Sequence, residues 1–217
     1  MKNKTDNNIN LIYKYKITEE PVDDKYSKYN IPKKMEERIE YYFNNLKKNP
    51  GKIIDDLLCF HDKDKKNPLI NNFLFTCYFV LGKKKEAEKI ANENYKLNPN
   101  YLFAKLNLAS LYLHKKQHHL IPKLFEYKFD LKSIYPDREI FHFSEARDFH
   151  LIFAKYFYYT NEYKQSKMYY KIAKKCGGKD NELDYFFMPL IIKVILFIFI
   201  FPFLLIYKFV KHFFNCK

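Results

Sequence analysis

Three histidines, His114, His118 and His119, come closest to a metal-binding pattern in this sequence. Side chains four residues apart share a helix face, so two of these imidazoles could reach one metal ion. The sequence has no HExxH pattern, however, and no cysteine or carboxylate stands directly beside the three histidines. They also fall in the stretch "HKKQHH", which has the polar composition of a turn. We therefore interpret them as a solvated turn and predict no metal site.

Two other stretches combine histidines with acids, "HDKDK" at 61–65 and "FHFSEARDFH" at 141–150. Such groups could perform general acid–base chemistry. Glu145 and Asp148 share one helix face at their spacing, but His142 does not converge with them. Helix capping and surface ion pairing explain these residues, and we predict that the protein is not an enzyme. An enzymatic hypothesis would require His142 or His150 to be buried beside a carboxylate in an open pocket.

Glycine is scarce, which excludes several classes of site. The four glycines are Gly51, Gly82, Gly177 and Gly178, and none belongs to a phosphate-binding motif. Nucleotide-binding loops need closely spaced glycines so that the backbone can approach the phosphates. The GxSxG motif of the α/β-hydrolases is absent as well. We expect no nucleotide and no cofactor.

The net charge of +14 suggests an anionic partner, but its distribution argues against nucleic acid. The lysines are spread along the chain, and the joint abundance of Lys, Asn, Ile, Tyr and Phe is typical of an AT-rich genome. We therefore predict no nucleic-acid partner and leave anionic lipid open. The four cysteines form no CxxC pair, which favours reduced thiols in the cytosol (Cys59, Cys77, Cys176 and Cys216).

The elements that would hold these residues are all helical. Residues 1–32 are polar and interrupted by prolines, and we predict a flexible arm there. Residues 33–66 contain two amphipathic stretches separated by Asn49-Pro50-Gly51, which indicates a helical hairpin. No stretch shows sustained period-two alternation, so the sequence predicts an all-α fold.

Residues 68–101, "PLINNFLFTCYFVLGKKKEAEKIANENYKLNPNY", carry the most informative pattern. Large residues stand four apart in a first helix, a glycine marks a turn, and a small residue follows in a second helix. The residues are Leu74, Tyr78, Gly82, Ala87, Leu97 and Pro99. This stretch resembles a tetratricopeptide repeat, a helix–turn–helix unit of about 34 residues. The resemblance implies a right-handed superhelical stack of hairpins.

Two further units resemble the same repeat. The unit at 102–136 begins in phase, with the matching residues Leu108, Ala109 and Tyr112, but Pro122 stands where a small residue is expected. We expect a distorted second helix there. The unit at 147–178 ends at Gly177-Gly178, and its matches are Phe153, Ala154, Phe157, Ser166, Tyr170 and Ala173. The repeat-like domain is thus 67–185, with the 33–66 hairpin as a degenerate repeat or cap; an unrelated helical bundle is the alternative.

The resemblance also implies a concave groove built by the first helix of each unit. The family's groove positions correspond to Leu69, Asn72, Thr76, Phe79, Phe103, Asn107, Ser110, His114, Asp148, Leu151, Lys155 and Tyr158. These side chains are aromatic, aliphatic and mildly polar, which suits an amphipathic helix or an extended apolar segment of a partner protein. The alternative is that some of them belong to the core between repeats.

One known ligand of the family is not expected here. Chaperone-binding members hold a C-terminal carboxylate with a clamp of Lys, Asn and Arg side chains, and of that clamp only Asn107 is present. Asp148 stands where the clamp has a cation and would repel a carboxylate. We predict no binding of a chaperone tail.

The last residues, "FFMPLIIKVILFIFIFPFLLIYKFVKHFFNCK" at 186–217, are apolar on every side. From Pro189 to Tyr207 the only charge is Lys193, and a helix of this length spans about 28 Å at ~1.5 Å per residue. A hydrocarbon core is ~30 Å thick. We predict a transmembrane helix at 186–207, with lipid contact through 188–207, and a short basic tail at 208–217. A re-entrant hairpin at Pro202 or an interfacial segment is the alternative.

Repeats followed by a hydrophobic tail are the layout of a tail-anchored protein, and this layout is similar to that of the mitochondrial fission adaptor. We therefore expect a single-pass membrane protein with its repeats facing the cytosol. A mitochondrial outer membrane and a bacterial inner membrane are not distinguished. The leading hypothesis is a membrane-anchored adaptor that binds a partner protein in its groove. The alternative is a structural subunit of a larger membrane complex with no free ligand.

Overall fold

The computed structural model describes residues 15–19, 33–46, 48–189 and 192. Within these residues the chain forms eleven α-helices and two short β-strands, so the all-α expectation is confirmed at the level of fold class. The chain divides into two compact units, with the division after Gly178.

The α-helices of the first unit are α1 (Lys33–Glu36), α2 (Ile39–Asn45), α3 (Ile54–Lys63), α4 (Pro68–Val80), α5 (Lys84–Leu97), α6 (Leu102–His114), α7 (Ile121–Leu124), α8 (Leu131–Ile134), α9 (Phe143–Tyr159) and α10 (Tyr163–Lys175). Short 3₁₀ helices occupy Pro50–Lys52 and His118–Leu120. The second unit contains α11 (Asn181–Phe187), whose N-terminus is capped by the Asp180 carboxylate accepting from the Leu183 amide at 3.0 Å.

The longest helices pack as antiparallel neighbours. Helix α4 packs along α5, α9 packs along α10, and α6 contacts α4, α5 and α9. Small residues permit the close approach within each pair, because Ala87 on α5 and Ser166 on α10 are both fully buried. The Ser166 hydroxyl also donates to the Ala154 carbonyl of α9 at 2.7 Å.

Five helix ends share one backbone geometry. After α4, α6, α7, α9 and α10 the second residue beyond the helix is left-handed: Gly82 (φ 69°), Lys116 (φ 59°), Glu126 (φ 55°), Asn161 (φ 65°) and Gly177 (φ 74°). The next residue then donates its amide to a carbonyl five positions back, and the five N···O distances are 2.9, 2.8, 2.7, 2.8 and 2.7 Å. This is the Schellman arrangement, which satisfies carbonyls that the helix end leaves unpaired. Glycine adopts this conformation without strain, and asparagine tolerates it better than most other residues.

Between α6 and α9 the chain forms no long helix. The 3₁₀ turn at His118–Leu120 is followed by α7 and α8, each of four residues, where the sequence predicts a distorted second helix. Pro122 lies in the first turn of α7, a position that proline tolerates. Two successive left-handed residues, Glu126 (φ 55°) and Tyr127 (φ 57°), end α7 because a right-handed helix cannot continue through them.

A two-stranded parallel sheet corrects the expectation of a chain without strands. Strand β1 (Lys16–Thr18) pairs with β2 (Ile140–His142), with Lys16 opposite Ile140 and Thr18 opposite His142. Part of the predicted flexible arm 1–32 is therefore ordered, and the Tyr15 ring packs edge-on against Phe141 at 5.0 Å. Strands of three residues are too short to show alternation, and their pairing depends on residues far apart in sequence.

The predicted transmembrane helix at 186–207 and basic tail at 208–217 lie outside the described residues, except for residues 186–189 and 192. The predicted arm at 1–32 is described only over 15–19. Within the described part of the chain, every helix is too short or too polar to cross a bilayer.

Candidate binding site between α4, α6 and α9

Two helix faces meet around a cavity of about 680 Å³. On α6 the lining residues recur every three or four positions from Phe103 to His114, and on α9 they recur in the same way from Asp148 to Tyr159. Residues at this spacing lie along one side of a helix. The cavity is thus lined by one face of α6 and one face of α9, and Phe79 near the C-terminus of α4 closes one side.

The sequence-predicted groove residues largely converge on this cavity. Eight of the twelve line it, namely Phe79, Phe103, Asn107, Ser110, His114, Asp148, Leu151 and Lys155. A volume of several hundred Å³ is typical of sites that bind small ligands or protein side chains.

The other four predicted groove residues lie elsewhere. Leu69 is 3% exposed and belongs to the core. The Asn72 Oδ1 accepts a hydrogen bond from the side-chain amide of Asn107 at 2.9 Å, and the Thr76 hydroxyl donates to the Asn72 backbone carbonyl at 3.0 Å. The Tyr158 ring packs against Tyr159 and Tyr163. Asn72 therefore joins α4 to α6 through Asn107, which lines the cavity.

Six lining residues were not predicted: Leu106, Leu113, Lys116, His118, Ile152 and Tyr159. Three of them are sequence neighbours of a predicted groove residue: Leu106, Leu113 and Ile152. A prediction that assigned a broader side of each helix to the groove would have included them. Lys116 and His118 reach the cavity through the left-handed turn and the 3₁₀ helix after α6. No sequence signal marks that placement.

Large apolar residues are exposed at the end of α4, where Phe79 lines the cavity. Phe79, Val80 and Leu81 are 42%, 45% and 42% exposed, although all three are large and apolar. The Phe79 ring stacks on Phe75 at 5.4 Å and meets the His114 ring edge-on at 6.0 Å. Exposed apolar side chains next to a cavity are a common feature of protein-binding sites.

The charged side chains of the lining are two lysines and one aspartate. Arg147 forms two hydrogen bonds to Asp148, from Nε to Oδ1 at 2.7 Å and from Nη2 to Oδ2 at 3.2 Å. Lys155 lies with its ammonium 6.0 Å from the centre of the Tyr159 ring, and Lys116 lines the same cavity. Because Arg147 offsets the one acid, the lining carries a net positive charge.

The histidines of the "HKKQHH" stretch have aromatic partners. The His118 ring stacks on Tyr159 with centroids 4.5 Å apart and planes 5° from parallel. Burial lowers the pKa of His118, and the nearby His119 and Lys116 lower it further. These effects favour the neutral form of His118, whose ring forms part of the cavity wall. Among the residues that the structure describes, no group of His, Cys, Asp or Glu is arranged to hold a metal ion.

The acidic and histidine residues at 141–150 have structural contacts. His142 caps α9 through its Nδ1, which accepts from the Ser144 amide at 3.3 Å, and Glu145 accepts from the His142 amide at 3.0 Å. Glu145 is also bound by Arg138 through two hydrogen bonds of 3.1 and 2.5 Å. These contacts show a helix cap at His142 and an ion pair at Glu145, but Glu145 is 4% exposed, so this pair is buried and not at the surface as expected.

His150 is 2% exposed, and its Nδ1 lies 2.6 Å from the Ala146 carbonyl. Burial lowers the pKa of His150 to about 4. Neither His142 nor His150 lines the cavity. The arrangement that the enzymatic hypothesis would require, a histidine beside a carboxylate in this pocket, is therefore not formed by these two residues.

Comparison of the chain with protein-family models, with curated proteins and with solved structures gives no match.

Proposed function

We propose that this chain is a membrane-anchored adaptor whose cavity between α4, α6 and α9 binds a segment of a partner protein. The observation that carries the proposal is the convergence of eight predicted groove residues on one cavity. Those residues come from three separate helices, so their meeting depends on how the helices pack. The neighbouring exposed apolar surface supports a protein partner over a small enclosed ligand.

We further propose that the helices form a tetratricopeptide-like, right-handed superhelical stack. The repeated Schellman ends at Gly82, Lys116 and Asn161 support this, since similar turns at similar places favour similar hairpins. The buried small residues Ala87 and Ser166 support it as well, because they occupy equivalent positions on α5 and α10.

The chemistry of the lining favours an amphipathic helix as the bound segment. Phe103, Leu106, Leu151 and Ile152 offer an apolar wall for the buried face of such a helix, while Lys116 and Lys155 offer cations to its polar edge. The clamp for a chaperone tail is still incomplete, so an EEVD peptide should not bind. Micromolar binding of that peptide would contradict this part of the proposal.

Photo-crosslinking at the cavity tests the adaptor function. A benzoylphenylalanine at Phe103, in the native cell, should give a discrete covalent adduct with a partner. The same group at Tyr127, which is 64% exposed and outside the cavity, should not give that adduct.

A blocking variant makes this experiment specific. Ser110→Trp should fill the cavity and abolish the adduct without removing an interhelical bond, because the Ser110 hydroxyl donates to Leu106 of its own helix at 2.9 Å. Lys89→Trp, on the exposed face of α5, adds similar bulk and should leave the adduct intact. An adduct that survives Ser110→Trp would refute binding in the cavity.

The anchor is supported by the apolar sequence from Pro189 to Tyr207. We propose that it crosses a membrane once and leaves the first unit in the cytosol, in a mitochondrial outer membrane or a bacterial inner membrane. Deleting residues 186–217 should move the protein to the soluble fraction of membranes washed at about 1 M salt, where surface charge contacts are screened, with its helical circular dichroism retained. Persistence in the membrane after that deletion would contradict the anchor.

Gel filtration of detergent extracts separates the adaptor from a permanent subunit of a larger complex. The exposed apolar end of α4 is the feature that favours the subunit, because such surfaces are usually covered in stable assemblies. An adaptor should elute as a monomer or in exchangeable complexes, whereas a subunit should elute only in one large assembly.

A further inference from the structure

Helix α10 carries a charge pattern that the proposed groove does not use. It contains five lysines, Lys164, Lys167, Lys171, Lys174 and Lys175, and no acidic residue. All five are exposed. At ~100° per residue they lie within a sector of about 100° around the helix axis. The helix therefore presents one narrow basic face to solvent.

The opposite side of α10 holds this face in place. Tyr169, Tyr170 and Ala173 are buried, and the Tyr169 hydroxyl donates to the Phe129 carbonyl at 2.7 Å. The side of α10 that packs against α9 is thus fixed, and the lysines cannot turn inward. No residue in the described part of the chain forms an ion pair with Lys164, Lys167 or Lys171.

Helix α5 provides an internal comparison, because it is the corresponding second helix of the other hairpin. It contains four lysines but also three glutamates, Glu86, Glu88 and Glu93. Glu88 pairs with Lys115 at 2.5 Å. A lysine-rich composition alone would have made both helices equally basic, so the absence of acidic residues distinguishes α10 from α5.

An exposed apolar residue adjoins the lysines. Met168 is 54% exposed and lies beside Lys164 and Lys171 on the helix surface. A basic helix face with an apolar side chain at its edge suits a bilayer surface, where cations meet anionic headgroups and apolar groups enter the interface.

We propose that the exposed face of α10 docks on a membrane surface that contains anionic lipid. Lysines near such a surface are attracted by its negative potential, and each contributes about a fivefold gain in binding. This contact is separate from the cavity, whose lining contains no residue of α10. It also does not require the C-terminal segment to span the bilayer.

A site-specific fluorophore on the full-length chain tests the proposal. Cys59→Ser and Cys216→Ser are introduced first, and Met168→Cys then receives a polarity-sensitive label. The chain is added to vesicles of phosphatidylcholine, either alone or mixed with phosphatidylserine. We expect a blue shift of the emission only with phosphatidylserine, and its loss at about 1 M salt, where charges are screened beyond ~3 Å.

Matched positions and variants supply the controls. A label at Lys89→Cys on α5, two residues after the buried Ala87 as Met168 is after Ser166, should show no lipid-dependent shift. In the triple variant Lys164→Gln, Lys167→Gln and Lys171→Gln, the equilibrium constant for contact of α10 with the mixed vesicles, taken from the label at residue 168, should fall by about two orders of magnitude. Removing the same charge from α5, with Lys84→Gln, Lys85→Gln and Lys96→Gln, should change that equilibrium constant less than fivefold.

Several outcomes would overturn the proposal. These are a shift at residue 168 that is equal on neutral and anionic vesicles, or equal losses in the two triple variants. A shift produced by single-stranded RNA with none on anionic vesicles would assign the face to nucleic acid instead. Flotation with neutral vesicles reports the C-terminal anchor separately, so failure of the anchor and failure of the α10 contact give different results.

Discussion

The two hairpins, α4–α5 and α9–α10, share a backbone plan but differ in nearly everything that faces a partner. Both turn at a left-handed residue, Gly82 or Asn161, and both bury a small residue where the helices approach. Their outer faces differ, since α5 mixes lysines with glutamates and α10 carries lysines alone. A few small or flexible residues therefore set the hairpin geometry, and the remaining positions are available for binding.

The buried sides of the two hairpins also differ. Phe153 on α9 is surrounded by aromatic rings, with centroids of Phe149, Phe125 and Phe129 at 4.7, 5.1 and 5.3 Å. Phe73 on α4 meets the rings of Phe43 and Tyr42, at 5.0 and 6.4 Å. Phe125 and Phe129 lie between the short helices α7 and α8, so the aromatic cluster packs this segment of the chain against α9.

Truncating these two buried rings should produce the largest effects. Phe153→Ala and Phe73→Ala should each lower the free energy of unfolding by about 4 kcal/mol, because both rings are fully buried. Hydrogen exchange should then distinguish them. Phe153→Ala should expose amides at 121–134 and Phe73→Ala should expose those at 39–45. The same protection pattern in both variants would mean that the hairpins do not have separate packing partners.

Acidification should destabilise the α9–α10 hairpin through a buried histidine. The pKa of His150 is about 4 in the folded protein and ~6.5 when unfolded, so the unfolded state binds the proton first as the pH falls. The stability is present above pH ~6.5 and is lost toward pH ~4, and about 2 kcal/mol should be lost by pH ~5. Denaturant unfolding of the wild type and His150→Gln across this range measures it.

The α4–α5 hairpin is the comparison for this pH effect because it contains no histidine. The nearby His61 on α3 also has a pKa lowered by burial, so hydrogen exchange of the α4–α5 amides should change between pH 7 and pH 5, but by less than that of the α9–α10 amides. A wild-type pH dependence that persists unchanged in His150→Gln would show that other groups cause it.

The smallest of these effects should come from the two turns. Gly82→Ala should lower stability by about 1 kcal/mol, because a side chain is disfavoured at positive φ. No atom lies within 4 Å of the added Cβ, so the cost is conformational. Asn161→Gly should change stability by less, since it removes backbone strain but also the 2.7 Å hydrogen bond from the Tyr163 hydroxyl. Equal and large losses in thermal unfolding would contradict this difference.

Much of the hairpin region could be predicted from the sequence because its signals are local. The helix-forming stretches, the turn at Gly82 and the small residues Ala87 and Ser166 follow from spacing within one hairpin. Eight groove residues were predicted for the same reason, since they repeat along the helix faces that meet at the cavity. The sequence could not show that Leu69 belongs to the core, because apolar side chains occur both in the core and in an apolar groove.

The remaining features depend on contacts between distant residues. Strand β1 forms only because the chain near Phe141 lies alongside it, and the pair is too short to leave a pattern. Lys116 and His118 line the cavity because a left-handed turn and the stack on Tyr159 direct them there.

The sequence alone determined the helical class, the positions of the main turns and the apolar character of the C-terminal segment, because these depend on neighbours within a few residues. Only the tertiary structure decided which helix faces meet, which charges border the cavity and which lysines remain on the outside of α10. Those properties arise from packing among segments far apart in the chain, and this packing cannot be predicted from the spacing of residues within one segment.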